Sequence, residues 1–186
     1  MNPSIILWTL ALLLTLTAAF TDWRSRRIPN WLTVPALLAG LVAHTVIPVW
    51  QGTSVWPGVK VSLTGAGLAL ALLLPFVLLR AMGAGDWKLM GAVGAILGPM
   101  LFLFVLLGSI FGAGLMAAVQ AIRAKRMKET LVNMAILVQG FVTFGFRTHS
   151  DISLDNPALM KLPFGISVAA STTGCFVAAH WAQWVR

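Results

Sequence analysis

Acidic residues are scarce in this chain: Asp and Glu together number five in 186 residues, and charged residues of either sign make up only 10%. So few charges cannot cover the surface of a soluble globule. With 59% hydrophobic residues and a mean hydropathy of +0.89, the sequence is that of an integral membrane protein. Cysteine is nearly absent too, Cys175 standing alone inside an apolar stretch. A single thiol builds neither a disulfide framework nor a thiolate metal site, which removes dithiol redox chemistry. The three histidines, His44, His149 and His180, fall in separate regions without metal-ligand spacing. They read as interfacial or loop residues, and neither a metal nor a cofactor is expected. Internal repeats and low-complexity tracts are also missing, so one membrane-embedded domain over 1–186 is expected. No Lys or Arg precedes the first apolar stretch, as a secretory signal would require, and that stretch runs directly into an aspartate and an arginine-rich loop. It reads as an anchored span.

Long hydrophobic runs are what the chain has in quantity. Ile5 to Phe20, Leu32 to Val49 and Val61 to Leu79 each suit a helical crossing of about 20 residues. Leu162 to Val185 is a further candidate, uncharged apart from His180. The uncharged run from Leu89 to Ile122 is too long for one crossing, and Gly98-Pro99 is its natural break, because proline has no backbone N–H to donate. The first of the two resulting spans is short and needs a shielded place in the bundle. The expected fold is an all-α polytopic helical bundle of about six transmembrane helices. Gly94-x-x-x-Gly98 and Gly108-x-x-x-Gly112 suit close helix packing within it.

The net charge of +8 follows membrane topology rather than a nucleic-acid surface, since no aromatic-basic platform lies outside the spans. With the first span running inward, Arg24, Arg26, Arg27, Arg80, Lys88, Arg123, Lys125, Arg126, Lys128, Arg147 and Lys161 are cytoplasmic, and only Lys60 and Arg186 lie outside. Between Arg123 and Lys161 an interfacial helix is expected over Leu131 to Phe146. Reading that segment as a seventh crossing changes the distribution from eleven against two to ten against three. The positive-inside rule thus prefers six by one residue. Trp50, Trp56, Trp181 and Trp184 mark outer span ends, and Trp23, Trp31 and Trp87 inner ones, as interfacial anchors.

Two of the five acids stand at span edges. Asp22 ends the first apolar stretch and opens Asp22-Trp23-Arg24-Ser25-Arg26-Arg27-Ile28-Pro29-Asn30, while Asp86 closes Gly83-Ala84-Gly85-Asp86 at the start of the fourth span. An ionisable group at a membrane boundary costs a few kcal/mol unless it is paired or wetted, so each asks for a function. Span parity puts both on the cytoplasmic side. Two carboxyl groups held close cannot both ionise cheaply; one keeps a proton while the other accepts one from water, and the pair titrates as a unit. That arrangement hydrolyses peptides. In this reading Gly83 and Gly85 clear space for a substrate backbone beside Asp86 and permit unusual dihedrals. Asn30 caps the next helix, with Pro29 keeping Ile28 out of it. Lys88 anchors the interface or steadies a carboxylate. Without chemistry, the acids would be helix-end carboxylates paired with bases, Asp22 with Arg24 and Asp86 with Lys88. A non-enzymatic alternative is a small transporter or an assembly component using the acids to bind a proton or cation. Against coupled transport stand their position at one edge and the lack of an inverted repeat.

These segments resemble the type IV prepilin peptidases, within the wider group of membrane aspartyl proteases bearing a Gly-x-Gly-Asp motif. Gly83-Ala84-Gly85-Asp86-Trp87-Lys88-Leu89 is similar to the family's second aspartate motif, and Asp22 through Asn30 to its first. Lys161-Leu162-Pro163-Phe164-Gly165 is similar to the Pro-(Phe/Tyr)-Gly element opening the family's last helix, which adds Pro163 and Gly165 to the candidate site. The resemblance implies cleavage of a short basic leader from prepilins and pseudopilins at the cytoplasmic face of a bacterial inner membrane, with Asp22 and Asp86 activating water. Larger members also methylate the new N-terminus and carry a Cys-x-x-Cys insertion, for which this chain has neither the cysteines nor the room. Its size resembles the subgroup serving tight-adherence (Flp) pili. Glu129, Asp151 and Asp155, the remaining acids, read as solvated charges in the basic stretch.

Overall fold

A computed structural model describes residues 3–79, 82–125, 128, 130, 132, 135 and 163–184. The described residues form five helices: α1 (Pro3–Ser25), α2 (Asn30–Trp50), α3 (Trp56–Leu78), α4 (Ala84–Arg123) and α5 (Phe164–Trp184). No strand occurs among them. Helices α1 to α4 are long and apolar enough to cross a membrane. The fifth is as long as α2 but less apolar, because Ser167, Ser171, Thr172, Thr173 and His180 interrupt its hydrophobic residues. Of the interfacial helix expected over 131–146 only residues 132 and 135 are described, both helical; the rest of it, Arg80, Glu129, His149, Asp151, Asp155 and Lys161 lie outside the described residues.

Helix α4 has 40 residues, about 60 Å of chain at the α-helical rise, twice a bilayer's hydrocarbon thickness. It breaks at the expected place. Gly98 takes φ 78° and ψ 173°, a conformation that side chains disfavour, and Pro99 follows. The break divides α4 into two arms, so five helices supply six helical segments. The arm before Gly98 is short and central: residues 89–98 are buried without exception. This is the shielded place that its length demanded.

Proline and the lipid environment together create a debt of hydrogen bonds here. Pro99 has no N–H, so the Ala95 carbonyl, four residues earlier, loses its helical donor. The buried Ser62 hydroxyl of α3 donates to it at 2.9 Å. Beside it, Nε2 of His44 in α2 donates to the Ile96 carbonyl at 3.0 Å. Both side chains therefore grip the central arm where it ends. His44 thus also joins α2 to α4. His180 is also buried, its Nδ1 2.9 Å from the Phe176 carbonyl and its ring beside those of Trp8 and Phe176. Lipid supplies no hydrophobic drive between helices, so backbone approach matters. A Cβ on Gly65 of α3 would collide with the Gly94 carbonyl of α4, and one on Gly94 with that of Gly65. The second glycine pair of α4, Gly108 and Gly112, faces Ser171 and Ser167 of α5.

The tryptophans sort by exposure. Trp23, Trp31, Trp50, Trp56 and Trp181 are exposed, as interfacial anchors require, whereas Trp87 is partly buried and donates its indole N–H to the Leu70 carbonyl at 2.9 Å. Trp87 therefore also joins α4 to α3.

Candidate active site

Asp22 lies in the last turn of α1. The helix closes through the Arg26 N–H, which donates to the Asp22 carbonyl at 2.8 Å while Arg26 takes φ 50°, the left-handed conformation of many helix ends. Arg27, Ile28 and Pro29 then lie outside any helix, and α2 starts at Asn30. The Pro29 constraint on Ile28 works as expected. The cap differs from expectation: Pro29 itself is the N-cap, with φ −76° and ψ 146°, and its carbonyl accepts from Leu32 N–H at 3.1 Å. Asn30 is the first helical residue, and its side chain is engaged elsewhere.

Asp86 occupies the first turn of α4, where the helix dipole favours a negative charge. Gly83 is the N-cap, and Asp86 reaches back to accept from its backbone N–H, as the third residue of a capping box does. The Trp87 N–H donates to the Gly83 carbonyl at 3.1 Å.

These two helix ends meet. A Cβ on Gly85 would stand 3.1 Å from the Ile28 carbonyl oxygen and 3.2 Å from the Ile28 Cβ, so the start of α4 rests against the α1–α2 connection. Lys88 Nζ donates to Asn30 Oδ1 at 3.0 Å, a second tie between the same segments. Asp86 lies within electrostatic reach of Asp22, a group of like charge. The start of α5 completes the cluster. Gly165, in its first turn, donates its backbone N–H to Asp22 Oδ2 at 2.8 Å. Ahead of it, Pro163 accepts from the Ile166 N–H at 3.2 Å.

Both acids are withdrawn from solvent, Asp22 being 6% exposed and Asp86 half-buried. Each accepts a hydrogen bond from a backbone N–H at the start of a helix, Asp22 from α5 and Asp86 from its own α4. The first-turn N–H groups of a helix have no intrahelical acceptor, so such donors are available to a carboxylate at no cost to the helix.

Several expected roles change. The space at Gly83 and Gly85 is filled by the protein: a Cβ on Gly83 would meet the Asp86 carboxylate at 3.1 Å, and one on Gly85 would meet Ile28. Neither glycine needs a left-handed backbone; the described glycines at positive φ are Gly52 and Gly98. Neither expected ion pair is what engages the acids. Lys88 donates to Asn30, and the guanidinium whose charge bears on Asp22 belongs to Arg26, while Arg24 is exposed. The residues missed were Ile28, Arg26, Ser62 and His44. Ser62 had a readable signal, since a proline at 99 orphans the carbonyl at 95 and a polar side chain must answer it.

The sequence model of the type IV leader peptidase family matches residues 8–118, well over half of the chain. Comparison with curated proteins and with solved structures gives no significant match.

Proposed function

The chain belongs to the type IV leader peptidase family and is a peptidase, and from that premise we propose that it is a membrane aspartic endopeptidase whose catalytic pair is Asp22 and Asp86. The observation carrying this reading is the convergence of the two acids, from helix ends 64 positions apart in sequence, at one end of the bundle, where each is a like charge to the other.

The chemistry follows from one shared proton. The ionised acid takes a proton from a water placed between the pair as the water oxygen attacks the scissile carbonyl, and the protonated acid gives its proton to the carbonyl oxygen. The resulting diol collapses as the C–N bond breaks and a proton passes to the leaving amine. One proton again resides on the pair, ready for a second turnover.

In this reading the substrates are prepilins and pseudopilins of the small tight-adherence type, cut after a short basic leader at the cytoplasmic face of the inner membrane. The whole chain acts as one membrane domain, surrounded by lipid. Neither nucleic acid, metal nor cofactor takes part. Glycine at 83, 85 and 165 supports the geometry, and the Lys88–Asn30 bond and Pro29 fix the α1–α2 connection beside it.

Single replacement of Asp22 or Asp86 by Asn, in cells making a tagged prepilin, should abolish leader removal on a gel shift. The loss expected of an obligatory catalytic group is about a thousandfold or more. Processing by either neutral variant, where deletion of the whole chain blocks it, would end the dyad mechanism.

A further inference from the structure

Family membership is shown by a match ending at residue 118, yet the site does not end there. Among the described residues, the backbone donor that reaches Asp22 from another helix is Gly165, beyond the matched region and 143 residues away in sequence. We propose that Gly165 is a positioning residue for the peptidase, its N–H fixing Asp22 Oδ2 so that the other oxygen, Oδ1, takes the proton from water. This inference rests on the Asp22–Asp86 reading given above.

Three features converge on it. The donor is a first-turn N–H of α5, which has no intrahelical acceptor and is therefore free to bind a carboxylate. The contact is buried, Gly165 lying among the buried residues and Asp22 being 6% exposed, so water does not compete for the bond. Finally, the approach is tight for a side chain. A Cβ at 165 would stand 3.1 Å from both the Cβ and Oδ2 of Asp22 and 3.3 Å from the Ala18 carbonyl. These are backbone or short-stemmed neighbours in α1, so a Cβ is accommodated by a shift of a few tenths of an ångström in the helices or the carboxylate.

Holding one oxygen does something for catalysis that burial alone does not. A carboxylate free to rotate presents either oxygen to the water in any orientation; one tied through Oδ2 presents Oδ1 in one direction. A general base must lie within hydrogen-bond reach of the proton that it takes. Small displacements of a catalytic group therefore lower the rate of the chemical step more than they affect binding. The Arg26 N–H closes α1 onto the carbonyl of Asp22, fixing its backbone, while Gly165 fixes its side chain.

The test uses the full-length protein in lipid nanodiscs and a fluorogenic peptide in which a short basic leader precedes an apolar pilin segment. Gly165→Ala is compared with Gly174→Ala in the same helix, where an added Cβ meets nothing within 4 Å. The expectation is a kcat lower by about 10- to 100-fold for Gly165→Ala, the range for losing a hydrogen bond to a charged group, with KM within twofold. Gly174→Ala should match the parent. A second variant replaces the Gly165 amide N–H by an ester oxygen through in vitro translation, deleting the donor without adding an atom. It should show the same fall in kcat, and it decides the matter if Gly165→Ala does not fold. An unchanged kcat in the ester variant overturns the proposal, and so does a raised KM with kcat preserved, which would mean that the residue touches substrate. Asp22→Asn and Asp86→Asn run alongside. Should either retain activity, the dyad reading fails; should both be inactive while the ester variant is normal, only the role of Gly165 fails.

Discussion

Replacing Ser62 by Ala removes one oxygen from the middle of the bundle and should destabilise it measurably. The reason lies 37 residues away, at Pro99. With no N–H at position 99, the Ala95 carbonyl depends on the Ser62 hydroxyl at 2.9 Å, and Ser62 is 1% exposed, so no water replaces the lost donor. An unsatisfied buried acceptor costs about 1–3 kcal/mol. Interhelical hydrogen bonds in membranes have averaged near ~0.6 kcal/mol with a maximum near ~1.7, because the unfolded chain in lipid also finds partners. Taken together these bracket the effect at about 1–2 kcal/mol. Ala is the better helix former by a few tenths, at most about 0.7 kcal/mol, which works against the loss and makes a control necessary. Ser109→Ala supplies one. Ser109 is equally buried, but its hydroxyl donates within its own helix to the Val105 carbonyl, which Ser171 also reaches at 2.8 Å. Removing the Ser109 hydroxyl therefore orphans nothing. Reversible unfolding in mixed micelles should show Ser62→Ala less stable than the parent by about 1–2 kcal/mol, with Ser109→Ala within about 0.5 kcal/mol of it. If the two substitutions prove equally harmless, the α4 break is not held by α3 in the way argued.

The Lys88–Asn30 bond lies at the exposed edge of the site, so a double-mutant cycle with Lys88→Met and Asn30→Ala should give a coupling of about 0.2–1 kcal/mol. Leader cleavage should fall by less than about tenfold in either single variant, the equivalent of about 1.4 kcal/mol; complete loss in Lys88→Met would instead place the ammonium in the chemistry. A periplasm-active reporter fused after Arg186 should be active under the six-span reading. Activity only from a cytoplasmic reporter at that point would require a seventh crossing and take α5 away from the catalytic face.

How much of this was legible in the residues depended on which atoms did the work. The Gly98-Pro99 break could be read because a proline cannot donate, whatever surrounds it. The approach of Asp22 and Asp86 to one end of the bundle could be read from span parity, since two crossings, α2 and α3, separate the end of α1 from the start of α4. Side-chain partners were less legible. Asn30 has the chemistry of an N-cap, but Pro29 already supplies the extended backbone that a cap needs, which leaves the Asn30 amide to Lys88. Arg24 is nearer Asp22 in sequence than Arg26 is, yet Arg26 turns back at φ 50° on the Asp22 carbonyl, and a left-handed turn at a non-glycine residue has no signature in composition. Least legible of all was the Gly165 N–H. Every residue but proline has one, and only the folded chain shows which of them meets a carboxylate.

Glycine at a close contact has a different meaning in this bundle from glycine in a turn. The Gly65–Gly94 contact sets α3 against the central arm of α4, Gly85 sets the start of that arm against Ile28, and Gly165 sets α5 against Asp22. Each contact brings backbone or Cβ atoms together, where long side chains cannot absorb an error by changing rotamer. A methyl group added at one of them is therefore transmitted to the helix carrying an acid. In water a bundle can repack around such a change because burying apolar surface compensates, but in lipid separated helices lose dispersion contacts and gain little in return. If Asp22 and Asp86 are the catalytic pair proposed above, these three contacts, made by four glycines, help to set the distance between their carboxyl groups, and proton transfer through a shared water would tolerate little change in it.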